Sequence, residues 1–107
     1  MRVELLWWEG CPSHPQALAE LRDALRDEGI DEDVLEVRHI ASDEEAERTR
    51  FPGSPTIRID GEDPFPPGPG EPHGLTCRVY RLSDGRISPV PDPADVRAIL
   101  RRVKESG

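Results

Sequence analysis

The sequence predicts a small α/β domain with the element order β-α-β-α-β-β-α. An apolar run at Val3–Trp8 leads directly into a segment with apolar residues at 3.6-residue spacing, which is typical of a strand followed by an amphipathic helix. A short alternating stretch follows Pro55, and helical periodicity returns behind Asp92. The chain of 107 residues is the size of one domain, so we predict a single unit over residues 1–107.

The first strand and the first helix carry the most regular patterns. Val3–Trp8 is almost continuously apolar, which favours a strand covered on both faces inside a sheet. Ser13 and Gln16 have the spacing of a capping box at a helix start. The predicted apolar face of this helix consists of Ala17, Leu18, Leu21, Ala24 and Leu25. Gly29 is expected to end the helix.

The middle of the chain predicts a strand, a short helix and a second strand. Val34–Ile40 is rich in β-branched residues, and Ser42 with Glu45 forms another capping-box pattern before a polar helix. The alternating strand after Pro55 follows a Pro/Gly corner. From the residues alone the Ser54–Pro55 bond is expected to be trans, because about 5–6% of X–Pro bonds in folded proteins are cis.

A long Pro/Gly-rich loop separates the last elements from the rest. Residues 61–74 show no periodicity and predict an irregular loop. Residues 75–82 predict a fourth strand, and a turn then permits a minor strand at 86–88. Asp92 and Pro93 predict the start of the final helix. Its apolar face consists of Val96, Ile99, Leu100 and Val103.

Composition and charge exclude several classes of partner. The formal net charge of −8 argues against nucleic acid and against anionic membrane surfaces, which both require Lys and Arg. No apolar run approaches the roughly 20 residues that cross a bilayer, and Glu4 interrupts a start too short for a signal peptide. We therefore expect a cytoplasmic protein, whose two cysteines are kept reduced, and no cofactor.

Cys11 lies where the first strand gives way to the first helix. Free N–H groups and the positive end of the helix dipole favour a thiolate at such a position and lower the pKa of a cysteine. His14, if protonated, would add to this effect. An equally good interpretation is that His14 is a solvent-exposed residue of the first helical turn without a role in the chemistry. The competing interpretation of Cys11 is a small buried apolar residue.

Two further classes of function remain open. Cys11 and His14 have Cys-x-x-His spacing, and with His39, His73 and Cys77 they could supply ligands for zinc, copper or mercury. The chain could instead be an interaction domain without chemistry, which would use its aromatic residues and the Pro-rich loop. Adjacent strand residues point to opposite faces, so one of Trp7 and Trp8 is expected in the core and the other near Cys11.

The element order, Gly10-Cys11-Pro12-Ser13-His14 and Gly53-Ser54-Pro55-Thr56 together resemble the thioredoxin-like superfamily. With Gly74-Leu75-Thr76-Cys77-Arg78-Val79-Tyr80, the chain is similar to small bacterial single-domain thioredoxin family proteins. The resemblance implies a four-stranded mixed sheet flanked by three helices, Cys11 as nucleophilic thiol and a cis Pro55 beside it. It also implies partners that are protein or small-molecule thiols and disulfides, such as glutathione, with the substrate chain pairing beside Pro55.

The sequence departs from that family at position 14. His14 stands where the second redox cysteine would be, so Cys11 acts either as a monothiol or with Cys77 as a remote partner. A bridge requires Cα atoms within about 7 Å. In a plain hairpin Cys77 would lie far from Cys11 as a buried strand residue, which is the interpretation we favour here. Only a loop that folds back would bring the two thiols together.

Overall fold

The computed structural model describes residues 1–67, 70 and 72–106. These residues contain five strands and three helices in the predicted order, with a 3₁₀ turn at Glu32–Val34 in addition. The elements are β1 (Val3–Trp7), α1 (His14–Asp27), β2 (Leu35–His39), α2 (Asp43–Arg48), β3 (Thr56–Ile59), β4 (Tyr80–Arg81), β5 (Ile87–Ser88) and α3 (Pro93–Ser106). None of the helices within these ranges is long and apolar enough to cross a membrane.

The strand β1 is the centre of a three-stranded mixed sheet. It pairs in parallel with β2 and antiparallel with β3, so that Leu5 lies opposite both Val37 and Ile57. The apolar run at the N-terminus is explained by this position, because a central strand has a neighbour on each edge and a core on each face. The prediction of an interior strand is confirmed.

The core has two parts, one on each face of the sheet. The larger part packs β1 and β3 against α1 and α3, with Leu5, Leu21 and Leu100 fully or almost fully buried. The smaller part lies on the opposite face, where Leu6 of β1 clusters with Ile40, Phe51 and Ala46 of α2. The chain thus forms three layers, and the predicted apolar faces of α1 and α3 point inward.

The predicted fourth strand of the sheet is wrong for the described residues. Within residues 75–82 only Tyr80–Arg81 is a strand, and it pairs with β5 in a separate two-stranded hairpin. Arg78 gives the physical reason. Its backbone N–H donates to the carbonyl oxygen of Ser54, and the Ser54 N–H donates to the carbonyl oxygen of Thr76, so residues 76–78 pair in parallel with Ser54 ahead of β3 instead of forming a strand beside β3.

Three of the four predicted helix ends are confirmed. The hydroxyl of Ser42 accepts a hydrogen bond from the backbone N–H of Glu45, and Asp92 accepts one from the N–H of Ala94. Gly29 follows α1 with a φ of +68°, a left-handed conformation that glycine adopts at low cost. The Ser13 capping box is wrong, because the Ser13 hydroxyl points at a sulfur atom instead.

Candidate functional site

Cys11 lies in a tight turn between β1 and α1. Its backbone N–H donates a hydrogen bond to the carbonyl oxygen of Trp8 at 3.0 Å. A Cβ atom at Gly10 would lie 2.3 Å from the Trp8 ring, so a larger residue in this turn would have to displace the indole. The Cys11 side chain is 2% exposed, so the thiol is buried at the start of the helix.

The sulfur of Cys11 is surrounded by polar groups rather than by hydrocarbon alone. The Ser13 hydroxyl lies 3.0 Å from Sγ, and the thiol can donate to the Ser54 carbonyl oxygen at 3.3 Å. Burial raises the pKa of Cys11, but hydrogen bonds from the Ser13 hydroxyl and N–H, with contributions from Cys77 and Ser54, outweigh it and lower the pKa overall. The position combines both sequence interpretations, since Cys11 is buried and also favours its thiolate.

His14 contacts the backbone of Cys11 and not its sulfur. The His14 Nδ1 lies 3.2 Å from the Cys11 carbonyl oxygen, which can only accept, so Nδ1 is the donor. The His14 ring stacks on Trp7 with centroids 4.1 Å apart, and His39 stacks on the same indole at 4.5 Å. Trp8 packs with the smaller core part. Both tryptophans are only partly buried, so neither is the core residue that the alternation predicts, although Trp7 does lie against His14 of the site.

The Pro-rich loop folds back and returns the chain to the site. The Gly74 N–H donates a hydrogen bond to the carbonyl oxygen of Phe51. The Ser54 N–H donates to the carbonyl oxygen of Thr76, and the Ser54 carbonyl oxygen accepts from the Arg78 N–H. Residues 74–78, called the docked segment below, therefore run alongside residues 51–54, with a parallel bridge between Ser54 and Cys77. Residues 68, 69 and 71 of the loop lie outside the described residues.

Cys77 is an exposed residue beside Cys11, so the interpretation of Cys77 as a buried strand residue is wrong. The two free thiols are close enough for each to shift the pKa of the other. Interaction with the Cys11 side chain is the largest cause that raises the pKa of Cys77, followed by burial and by the charge on Cys11. Both cysteines line one surface groove, together with Pro12, Ser13, Gln16, Arg78, Val79 and Pro89.

Pro55 joins Ser54 to β3 through a cis peptide bond, as the family resemblance implies. Its side chain is fully buried, and its carbonyl oxygen accepts a hydrogen bond from the hydroxyl of Tyr80. Burial is the main cause that raises the pKa of Tyr80 and keeps the phenol neutral. The N–H and the carbonyl oxygen of Ser54 are both hydrogen-bonded to the docked segment. A substrate chain that paired beside Pro55, as the resemblance implies, would therefore find no free backbone group on Ser54.

Sequence reasoning missed three residues that build the site. Ser54 accepts a hydrogen bond from the Trp8 N–H and offers its carbonyl oxygen to Cys11. Arg78 bonds to Asp63 and lies 4.5 Å above the Tyr80 ring, which ties the loop to the docked segment. Ser54 belongs to the Gly53–Thr56 motif, and Arg78 and Tyr80 belong to the Gly74–Tyr80 motif. Both motifs were available signals, but neither indicated which groups of these residues contact the site.

The candidate metal ligands are not gathered into one cluster. His39 stacks on Trp7, and the His73 ring lies 3.9 Å from the Glu47 carboxylate. Across residues 1–67, 70 and 72–106 there is no group of three or more His, Cys, Asp or Glu side chains that could hold a metal ion.

Comparison with protein-family models, with curated proteins and with solved structures finds no match for this chain. The geometry of the two thiols is therefore the basis for a functional proposal.

Proposed function

We propose that the chain is a thiol–disulfide redox protein in which Cys11 and Cys77 form a reversible pair. The observation that carries this proposal is the return of the loop, which brings two free thiols to one groove and lets each perturb the pKa of the other. A pair of incidental cysteines, 66 positions apart in sequence, has no reason to converge at a helix start.

The surroundings of Cys11 support this chemistry. Thiol–disulfide exchange requires a thiolate as nucleophile and favours a leaving sulfur of low pKa. The lowered pKa of Cys11 meets both requirements, and its source is the polar shell provided by Ser13. In a reducing compartment such as the cytoplasm the pair would stand as the dithiol.

We also propose that the fold is thioredoxin-like. Support comes from the central strand β1 between parallel β2 and antiparallel β3, with helices on both faces and Cys11 at the start of α1. The absence of a fourth strand from the sheet in the described residues is a departure from that architecture. The partner of Cys11 is Cys77 in this proposal, and His14 occupies the usual second position without touching the sulfur.

The net reaction balances two thiols against one disulfide. The Cys11–Cys77 disulfide accepts two electrons and two protons from two external thiols, which leave as one external disulfide. In the reverse direction the dithiol is oxidised and an external disulfide is reduced. Glutathione and cysteine side chains of other proteins are the classes of external thiol that we propose.

The test is whether oxidation joins these two sulfurs. The purified protein is oxidised with glutathione disulfide, alkylated, and digested without reduction, and the peptides containing residues 11 and 77 are then analysed by mass spectrometry. We expect one cross-linked peptide pair in the wild type and none in Cys77→Ser. If no cross-linked peptide pair forms in the oxidised wild type, whether the thiols stay free or carry glutathione separately, the proposed Cys11–Cys77 pair is wrong.

A further inference from the structure

The two sulfurs of the pair differ sharply in their access to solvent. Cys11 is 2% exposed and is enclosed by Ser13 and the Ser54 carbonyl, whereas Cys77 is exposed on the docked segment. Val79, two residues further along in the same groove, is 67% exposed. An external sulfur must reach a sulfur of the pair in line with the bond that breaks, and access is a condition for exchange.

We propose that Cys77 is the sulfur that exchanges with external partners and that Cys11 is its buried partner, the sulfur that leaves when the disulfide is opened. This assignment rests on the proposed redox function. It reverses the roles that the family resemblance implied, in which Cys11 attacks the substrate. The docked segment takes the backbone positions beside Ser54, so the chain presents its own cysteine to Cys11 as a substrate would.

The exchange proceeds in two balanced steps from the oxidised pair. An external thiolate attacks the Cys77 sulfur, the Cys77–Cys11 bond breaks, and its electron pair leaves on the Cys11 sulfur, where Ser13 donates hydrogen bonds. Cys77 is then in a mixed disulfide with the first external thiol. A second external thiolate attacks the external sulfur of that mixed disulfide, releases an external disulfide, and leaves Cys77 as a thiolate that takes a proton.

The pKa shifts agree with this division of roles. The lowered pKa of Cys11 makes it the better leaving group, and the raised pKa of Cys77 makes it a poor attacking thiol at neutral pH. This asymmetry therefore makes attack by an external thiol on the oxidised pair faster than attack by the reduced pair on an external disulfide. Because Ser54 has both backbone groups occupied, the external partner is a small thiol or a cysteine that approaches without strand pairing.

The experiment compares single-cysteine variants in their reaction with one probe, glutathione disulfide. Cys11→Ala retains only the exposed thiol and Cys77→Ala only the buried one. A matched reference, Ser83→Cys in the Cys11→Ala/Cys77→Ala background, supplies a thiol at an exposed turn position. Mixed-disulfide formation is followed by intact mass at alkaline pH, where Cys77 is ionised.

We expect Cys11→Ala to be glutathionylated within about tenfold of the reference rate and Cys77→Ala to react at least 100-fold more slowly until denaturant is added. Faster glutathionylation of Cys77→Ala than of Cys11→Ala in the folded state would overturn the assignment. That outcome differs from failure of the redox proposal, which is the absence of the cross-linked peptide pair in the oxidised wild type. Circular dichroism confirms that each variant is folded before the rates are compared.

Discussion

Ser13 shows how one hydroxyl group connects helix formation to thiol chemistry. Ser is a favoured N-cap residue because its oxygen can accept from a free N–H of the first helical turn. Here that oxygen lies 3.0 Å from the Cys11 sulfur, and the Ser13 N–H also contributes to the lowered pKa of Cys11. The first turn of α1 therefore has no side-chain cap, and the Ser13 hydroxyl and N–H are instead two hydrogen-bond donors for the Cys11 thiolate.

Replacement of this hydroxyl should change the thiol more than the helix. In a Cys77→Ala background, Ser13→Ala should raise the pKa of Cys11, because the hydroxyl that favours its thiolate is gone. The ultraviolet absorbance of the thiolate, measured against pH, gives the midpoint. Ser42→Ala is the control. It removes a hydroxyl that does cap a helix and should cost about 1 kcal/mol of stability without moving the midpoint. An unchanged midpoint in Ser13→Ala would contradict the assigned role.

The raised pKa of Cys77 gives a second prediction at this scale. Its largest cause is the interaction with the Cys11 side chain, and the charge on Cys11 acts in the same direction. Cys11→Ala removes both, so the midpoint of Cys77 alkylation by iodoacetamide should move to lower pH. The raised pKa also means that Cys77 favours the folded state below its unfolded pKa and loses this contribution as pH rises through the folded value. If the midpoint stays at its wild-type pH, Cys11 does not influence the ionisation of Cys77 and this prediction is wrong.

At the scale of the elements, the Arg78 side chain fixes the docked segment to the loop. It contacts Asp63 at 2.6 Å, the Phe65 carbonyl oxygen, and the Thr56 hydroxyl at 3.3 Å. The ion pair is enclosed, since the two side chains are 8% and 15% exposed. An enclosed pair is costly to break because the remaining charge keeps its desolvation penalty without its partner.

Arg78→Ala should therefore lower the free energy of unfolding by about 3 kcal/mol, measured by urea denaturation. The chain offers a matched control in the Arg86–Asp84 pair, which has the same 2.6 Å separation but 75% and 52% exposed side chains. Arg86→Ala should change stability by less than about 0.5 kcal/mol, because water screens that pair. If the two variants lose the same free energy of unfolding, burial is not the reason that the Arg78–Asp63 pair contributes to stability.

Gly53 sets the distance between residues 51–54 and the docked segment. A Cβ atom at Gly53 would lie 3.1 Å from the Arg78 Cβ and 3.2 Å from its backbone nitrogen, and φ is +139°. Gly53→Ala should push the segment outward and reduce the yield of the Cys11–Cys77 cross-link at a fixed glutathione ratio. Gly85→Ala controls for backbone strain, since its φ is +90° and its Cβ would meet nothing within 4 Å. If Gly85→Ala lowers the yield equally, contact with the segment is not the cause.

The sequence patterns predicted the regular elements well and the return of the loop poorly. Apolar periodicity located β1, α1 and α3, because each buries a face whose spacing is fixed by local geometry. The docked segment depends on hydrogen bonds between residues more than 20 positions apart and on the burial of Arg78, which no local pattern expresses. For the same reason Cys11 could be located at a helix start, while its proximity to Cys77 could not.

At the scale of the whole molecule, the two cysteines belong to segments associated with different parts of the core. Cys11 begins the helix that packs on the larger core part. The docked segment runs beside residues 51–54, directly after Phe51 of the smaller part. A covalent bond between them would close the chain from residue 11 to residue 77 and include β1's partners β2 and β3 in one loop.

Oxidation should therefore stabilise the whole fold. A disulfide restricts the unfolded chain, and a loop of this length corresponds to about 4 kcal/mol in the chain-entropy model. We expect the glutathione-oxidised protein to unfold at higher urea concentration than the reduced protein at pH 7, with a free-energy difference of that order. Cys77→Ser treated with the same oxidant is the control and should show no difference. Equal stability of the two wild-type forms would mean that the bond strains the native site by as much as it restricts the unfolded chain, and the pair could then be opened by mild reductants.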